Sequence, residues 1–213
     1  MRRGRRPAGV TDRFEGWIAG LGTASGTRVV VGRWTRSPLG PFTDVMVERS
    51  DRHRVLLAPS REVADYVAAT YRFDEVRVVP VEVAVDGSGW TLTAGPLALR
   101  FAVGGRPPLG WLLRAVPRPL AARPAWIAAA DLAARVVLRG VRTRGSAVGG
   151  RREFYAALDM HRIASAEASW GGADLGALAP VVPPVRFGFG STPAAPAVVR
   201  MVTLVRHPPP GGP

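Results

Sequence analysis

The sequence predicts an α+β fold, a curved antiparallel β-sheet closing into a cone-shaped barrel, with two to four short helices. Three observations lead there. Short valine-rich runs alternate apolar and polar residues, and turn chemistry separates them at close intervals. Too little helix lies between these runs for a series of parallel crossovers. With 213 residues, 47% apolar and 21% charged, the chain can bury one core of ordinary size.

The elements follow in order. Residues 1–11 form a basic tail, with Arg2, Arg3, Arg5 and Arg6, and are expected to be disordered. Residues 12–21 read as a helix, because Asp12 and Glu15 stand at capping-box spacing. Phe14, Trp17, Ile18 and Leu21 would share a helical face, and Gly22 would close the end. Residues 28–36 read as a strand, residues 37–41 as a turn, and 43–49 and 54–58 as two more strands. Ser60 is the expected N-cap of a helix over 61–71. In 76–85, Val79, Val81, Val83 and Val85 share a face, and Pro80 marks a bulge or an edge. Asp86-Gly87-Ser88-Gly89 turns into a strand at 90–93, and 97–103 adds another. A short helix is expected at 109–116, while 126–138 reads equally as helix or strand. Residues 153–170 form a long strand bent or bulged in the middle, followed by strands at 185–189 and 197–205. Residues 207–213 are an expected disordered Pro/Gly tail.

Two absences exclude much chemistry. The chain has no cysteine, so it has no disulfide, thiol nucleophile or cysteine-held metal. All 29 basic residues are arginine. Without lysine there is no side-chain amine for a Schiff base, for pyridoxal phosphate or for a P-loop. The net charge of +13 raises nucleic acid or an anionic membrane as partners. No nucleic-acid-binding motif accompanies that charge, and an arginine-only complement is also what a GC-rich genome writes on any surface. Acids interleave with most of it, except between Asp131 and Glu153. Nucleic acid is therefore not expected as the main partner. No apolar run is long enough for a membrane helix, and the expected location is cytoplasmic.

Few residues suggest catalysis. No Gly-x-Ser-x-Gly elbow, dinucleotide fingerprint or His-Glu-x-x-His motif occurs. Asp159 and His161 stand two apart in the long strand, on a face with Tyr155, Ala157 and Ile163, and could form an oriented general base. They fit a satisfied structural pair equally well. Glu82 and Glu167 read as solvent-facing or arginine-paired, and Trp34 and Trp170 as core or pocket wall. No metal site and no cofactor is expected.

Two segments carry a family resemblance. Ser37-Pro38-Leu39-Gly40-Pro41-Phe42-Thr43-Asp44 resembles the Ser-(Pro/Gly)-x-Gly-x-(Tyr/Phe)-x-(Glu/Asp) turn of the acetoacetate decarboxylase-like superfamily. Arg61-Glu62-Val63-Ala64-Asp65-Tyr66-Val67-Ala68-Ala69 is similar to that family's Arg-Glu-x-x-x-(Tyr/Trp)-Pro-Lys-Lys stretch, and Glu167 to Gly172 is a weaker echo. The resemblance spans most of 28–205 and implies one domain over 12–206, a cone-shaped barrel around a small carbonyl or carboxylate ligand, with a homo-oligomer allowed. It gives Asp44 the role of an active-site acid and puts Ala68 and Ala69 where the family keeps its lysine pair. One of those amines forms the imine, and its neighbour lowers that amine's pKa. Alanine does neither, and Val67 replaces the proline. The expected function is thus non-covalent binding of a carbonyl or carboxylate metabolite, with Trp34, Arg36, Tyr66, Ala68, Ala69 and Arg144 around the ligand. Two other readings stay open: acid–base catalysis by Asp44 with Asp159 and His161, and an arginine-driven binder of nucleic acid or anionic lipid.

Overall fold

A computed structural model describes residues 11–117, 144–146, 151–188 and 192–207. Its elements are β1 (Thr11–Thr23), β2 (Arg28–Arg36), β3 (Phe42–Glu48), β4 (Arg54–Ala58), α1 (Arg61–Ala68), β5 (Glu75–Val78), β6 (Val81–Asp86), β7 (Gly89–Ala94) and β8 (Leu97–Val103). They continue with α2 (Pro108–Ala115), β9 (Arg144–Ser146), β10 (Arg152–Trp170), β11 (Ala173–Asp174), β12 (Leu178–Ala179) and β13 (Ala197–Arg206). The segment 126–138, equally helix or strand by sequence, lies outside the described residues.

The expected helix at 12–21 is instead the long central strand β1, hydrogen-bonded to β2 on one side and β13 on the other. Tertiary pairing overrides the local helical pattern here. Glycine supplies the reason: Gly16, Gly20 and Gly22 all fall on one face of the strand, and a Cβ at Gly16 would collide with the Arg33 carbonyl. Gly16 and Gly20, inside the expected helix, also weaken it by about 1 kcal/mol each relative to alanine. The other correction is at 185–189. Through residue 188 this is loop, not strand. Its Val181, Val185 and Phe187 are buried against Val30, so the apolar alternation came from loop packing.

The remaining elements fall near their expected places. Ser60 caps α1 by accepting the Val63 N–H at 3.3 Å. The hairpin between β6 and β7 turns at Gly87, whose φ is +54°. Pro80 splits the expected strand 76–85 into β5 and β6.

The hydrogen-bonded order is β5-β4-β3-β2-β1-β13-β10-β8-β7-β6. Every neighbour in it is antiparallel except β4 with β5, which is parallel. That pair is joined by α1, the one crossover helix, so the sheet is mixed rather than wholly antiparallel. β5 and β6 sit at opposite ends of the order, yet only Val79 and Pro80 separate them in sequence. Three Cα steps reach at most about 11 Å. The sheet must therefore curl until its ends meet, and it forms a barrel-like shell with two faces.

Register sorts the residues between those faces. Val45, Val31, Ala19, Val198 and His161 form one cross-strand row, and Asp44, Gly32, Ile18, Val199 and Met160 form the next. Successive residues of a strand point to opposite sides. The first row faces the lumen, where Val31, Val45 and Leu57 pack with Leu92, Leu99 and Phe101 from the far wall. The second row faces outward and is covered: Leu56 packs beneath Val63 and Val67 of α1, and Val30 beneath the 181–187 loop.

Leu57 is wholly buried in the lumen. Leu57→Ala should cost about 2–5 kcal/mol of stability in urea unfolding. A loss under about 1 kcal/mol would mean that the lumen is not the main core.

Candidate ligand-binding site

The covered face carries a buried polar layer. Trp34 in β2 stands diagonally across from Asp44 in β3, and its Nε1–H donates to Asp44 Oδ1 at 3.1 Å. Gly32, directly opposite Asp44, makes room for that bond: a Cβ there would lie 2.7 Å from Asp44 Oδ1 and 2.8 Å from Trp34 Nε1. Asp44 is 1% exposed, and its other oxygen, Oδ2, has no partner among the described residues. Burial drives the Asp44 pKa up to about 7, with the Trp34 hydrogen bond pulling the other way.

A second carboxyl lies on the same face. Glu153, at the start of β10, accepts from Tyr71 Oη at 3.1 Å and from Tyr155 Oη at 2.9 Å, and the two phenolic oxygens are 2.6 Å apart. Burial raises Glu153 to about 7, against the hydrogen bonds from Tyr155 and Tyr71 and the charge of Arg151. Burial, joined by the Glu153 charge, holds both tyrosines well above their ordinary range, so they stay protonated hydroxyls. The Asp44 charge also acts on Tyr71, which ties the two carboxyls into one cluster. Thr203, in one cross-strand row with Phe14 and Tyr155, has a buried Oγ1 without a partner among the described residues.

α1 closes the layer from above. Tyr66 Oη donates to Asp12 Oδ2 at 2.8 Å, and its ring packs on Phe14 with centroids 5.3 Å apart. His207 meets the same Asp12 oxygen through Nε2 at 2.7 Å. His207 was expected to open the tail, but this contact anchors it. Arg151 lies over the Tyr66 ring at 4.8 Å and donates to Thr70 Oγ1 at 2.8 Å.

Of the sequence-predicted residues, the structure brings Asp44, Trp34 and Tyr66 to this layer. Ala68 packs at its edge against the cluster of Leu56 and Val67, while Ala69 is exposed at the end of α1. Arg36 is exposed at the end of β2, opposite Glu15, and does not enter the layer. Arg144 is described only through its backbone place in β9, opposite Phe154. Glu153, Tyr71, Tyr155, Asp12 and His207 escaped sequence reasoning. The pair Glu153 and Tyr155, two apart in a strand otherwise apolar on that side, was the available signal.

Asp159 and His161 lie elsewhere. A bulge between Ala157 and Asp159 shifts β10 by one residue, so Tyr155 and Ala157 face outward while Asp159 and His161 face the lumen. The expected shared face is broken there, and Asp44 is on the opposite side of the sheet. No substrate can touch both. Asp159 is also occupied: Arg106 holds it by two bonds, at 2.7 and 2.9 Å, and keeps its carboxyl below the usual range. Among the described residues no three His, Asp or Glu side chains are grouped to hold a metal ion. No described helix is long and apolar enough to cross a membrane.

No protein-family model and no curated protein matches the chain. Solved structures similar to it include two acetoacetate decarboxylases. One, from Legionella pneumophila, has a TM-score of 0.41 at 9% identity, over 97% of this chain and 89% of that chain. The other has a TM-score of 0.39 at 10% identity, over 95% of this chain and 88% of that chain.

The raised Asp44 pKa has a consequence for stability. Folded, the group holds its proton up to about pH 7; in an unfolded chain it releases it near 3.8. Its contribution is therefore present at low pH and is lost as pH rises between those values. Relative to the parent, Asp44→Asn should gain stability from about pH 4 to about pH 7, with a constant difference above. Urea midpoints of both proteins across that range measure it, and a difference independent of pH would contradict the buried titration.

Proposed function

We propose that the chain binds a small, neutral carbonyl compound non-covalently in the polar layer beneath α1. The observation that supports this best is Asp44 Oδ2, a buried carboxyl oxygen with no partner among the described residues. Leaving such a group unsatisfied costs about 1–3 kcal/mol, so a ligand that pairs with it is favoured. A carboxyl that titrates at about 7 is largely protonated in mildly acidic solution and then donates to a carbonyl oxygen. The hydroxyls of Tyr71 and Tyr155 are committed to Glu153, so Asp44 is the donor the ligand meets. Among the described residues no guanidinium is hydrogen-bonded to Asp44 or Glu153, so an anion would meet two carboxyls and the layer favours a neutral ligand.

The motifs at 37–44 and 61–69 agree with a carbonyl ligand. The lack of lysine sets the mode of binding, since no side chain can form an imine. A single domain over 12–206 and a cytoplasmic location complete this reading; the absence of cysteine suits a reducing compartment.

Cyclohexanone serves as the probe, followed by ligand-observed NMR. Binding should strengthen as pH falls through about 7, where Asp44 takes up its proton. Asp44→Asn keeps a donor and should flatten that pH dependence, whereas Asp44→Leu should weaken binding roughly tenfold or more. Borohydride should trap no adduct on a side chain. Unchanged binding in Asp44→Leu, or a trapped adduct, overturns the proposal.

A further inference from the structure

The lumen holds a second constellation, on the opposite side of the sheet and independent of the layer beneath α1. Register places Arg33, Trp17, Arg200 and Asp159 in one row across β2, β1, β13 and β10. Strands lie about 4.8 Å apart, so the two arginines flank Trp17. Their guanidinium carbons sit 5.7 Å from its ring centroid, and Arg33 also lies 5.5 Å from Trp90, on the far wall. Trp90 is in turn stacked on Phe101, at 5.4 Å.

Neither arginine has a carboxylate partner among the described residues. Asp159, beside Arg200 in the row, is held by Arg106, and Arg114 approaches it at 3.8 Å. Glu15, two residues from Trp17 on the same face, is bonded to Arg13 at 2.7 Å and feels Arg36 and Arg200 only through space. His161 is engaged by Arg106 and by the Gly104 carbonyl. Among the described residues, both acids at this end of the lumen, Asp159 and Glu15, are thus already paired with other arginines. Arg200 borders a cleft of about 530 Å³, with the engaged Asp159 and His161 also on its wall. Trp17, Trp90, Val103 and Val198 give it apolar walls, Arg200 its cation, and the exposed Ser88 its rim. That volume is in the range of small-molecule sites.

We propose that this cleft is a binding site for an organic carboxylate with an apolar body. Arg200 takes the carboxylate, for which the guanidinium fork is shaped, and Trp17 holds the fork in place from behind. Arg33 adds charge from the back wall. Val103 and Val198 contact the body of the ligand. The stacked guanidinium groups already cover the tryptophan faces, so the body packs against aliphatic side chains rather than between the rings.

Benzoate is the probe, with benzamide as its neutral isostere and inorganic phosphate as a bare anion, all titrated by calorimetry into the full chain. Benzoate should bind at least about tenfold more tightly than either control, and Arg200→Gln should remove most of that advantage. Ser88→Trp, at an exposed hairpin position, should obstruct the cleft without touching the core and should also abolish binding. Asp44→Leu should leave benzoate affinity unchanged, which separates this site from the layer beneath α1. Equal binding of benzamide or phosphate would overturn the proposal, as would full benzoate affinity in folded Arg200→Gln or Ser88→Trp.

Discussion

The two-residue link between β5 and β6 governs the rest of the structure, because it obliges a sheet ten strands wide to curl until its ends meet. Curling gives the sheet an inside and an outside, and each residue's position in the alternation decides between the lumen and an outer face that is covered beneath α1 and the 181–187 loop but exposed along β6–β8. Val31 and Val45 point in and meet the far wall. Gly32 and Asp44, each one residue along, point out and meet Trp34 and the elements that cover the sheet. A one-residue change of phase would exchange lumen for outer face. β10 uses such a change: its bulge sends Glu153 and Tyr155 outward and Asp159 and His161 inward from a single strand. The two polar regions thus share a backbone but no ligand.

They are also opposite in electrostatic character. In the outer layer Asp44 and Glu153 are buried carboxyls with no guanidinium within salt-bridge distance among the described residues. Desolvation therefore outweighs every other influence on them, and their titration moves to neutrality. Among the described residues, the lumen end contains cations in excess of acids, and Asp159 is kept ionised by a bidentate arginine. Proteins with large net charge usually disperse it over the surface. Here part of a +13 excess is turned inward and shielded by tryptophan. Indole faces moderate such a cluster by stacking on guanidinium groups, yet they leave the N–H donors free for an anion.

Much of the architecture was legible in sequence, and the failures have physical causes. β7 and β8 show apolar–polar alternation, and β2, β3 and β4 short apolar runs, between turns rich in Gly, Pro, Asp and Ser, and each falls close to its expected place. α1 was legible through the Ser60 cap, although it ends at Ala68, short of Tyr71. β1 was not, because Asp12 to Leu21 satisfies a helical wheel as well as a strand, and only pairing with β13 decides between them. Asp44 and Tyr66 were reached through motifs, and Trp34 as an aromatic beside a turn. Pairing Asp44 with His161 failed, since the position of a bulge depends on two strands and one strand's residues do not specify it. Glu153 was missed because a carboxyl near a strand end reads as solvated until a loop and a helix are laid over it.

The lack of lysine gains meaning from the environment that surrounds Ala68. That residue packs among Leu56, Val63 and Val67, beside the layer that holds the two neutral-titrating carboxyls. An amine in such a place would be desolvated, which lowers its pKa, and attracted by any ionised carboxyl, which raises it. A reactive amine needs the first effect to prevail, and a neighbouring cation is what ordinarily tips the balance. With no cation at Ala69, the carboxyls instead settle their own desolvation by keeping their protons. Without an amine, the layer retains hydrogen-bond donation as the chemistry it could offer a carbonyl oxygen, not attack on its carbon. Asp44 and Glu153, both raised to about 7 by burial, hold their protons below neutral pH, while the hydroxyls of Tyr71 and Tyr155 are held by Glu153.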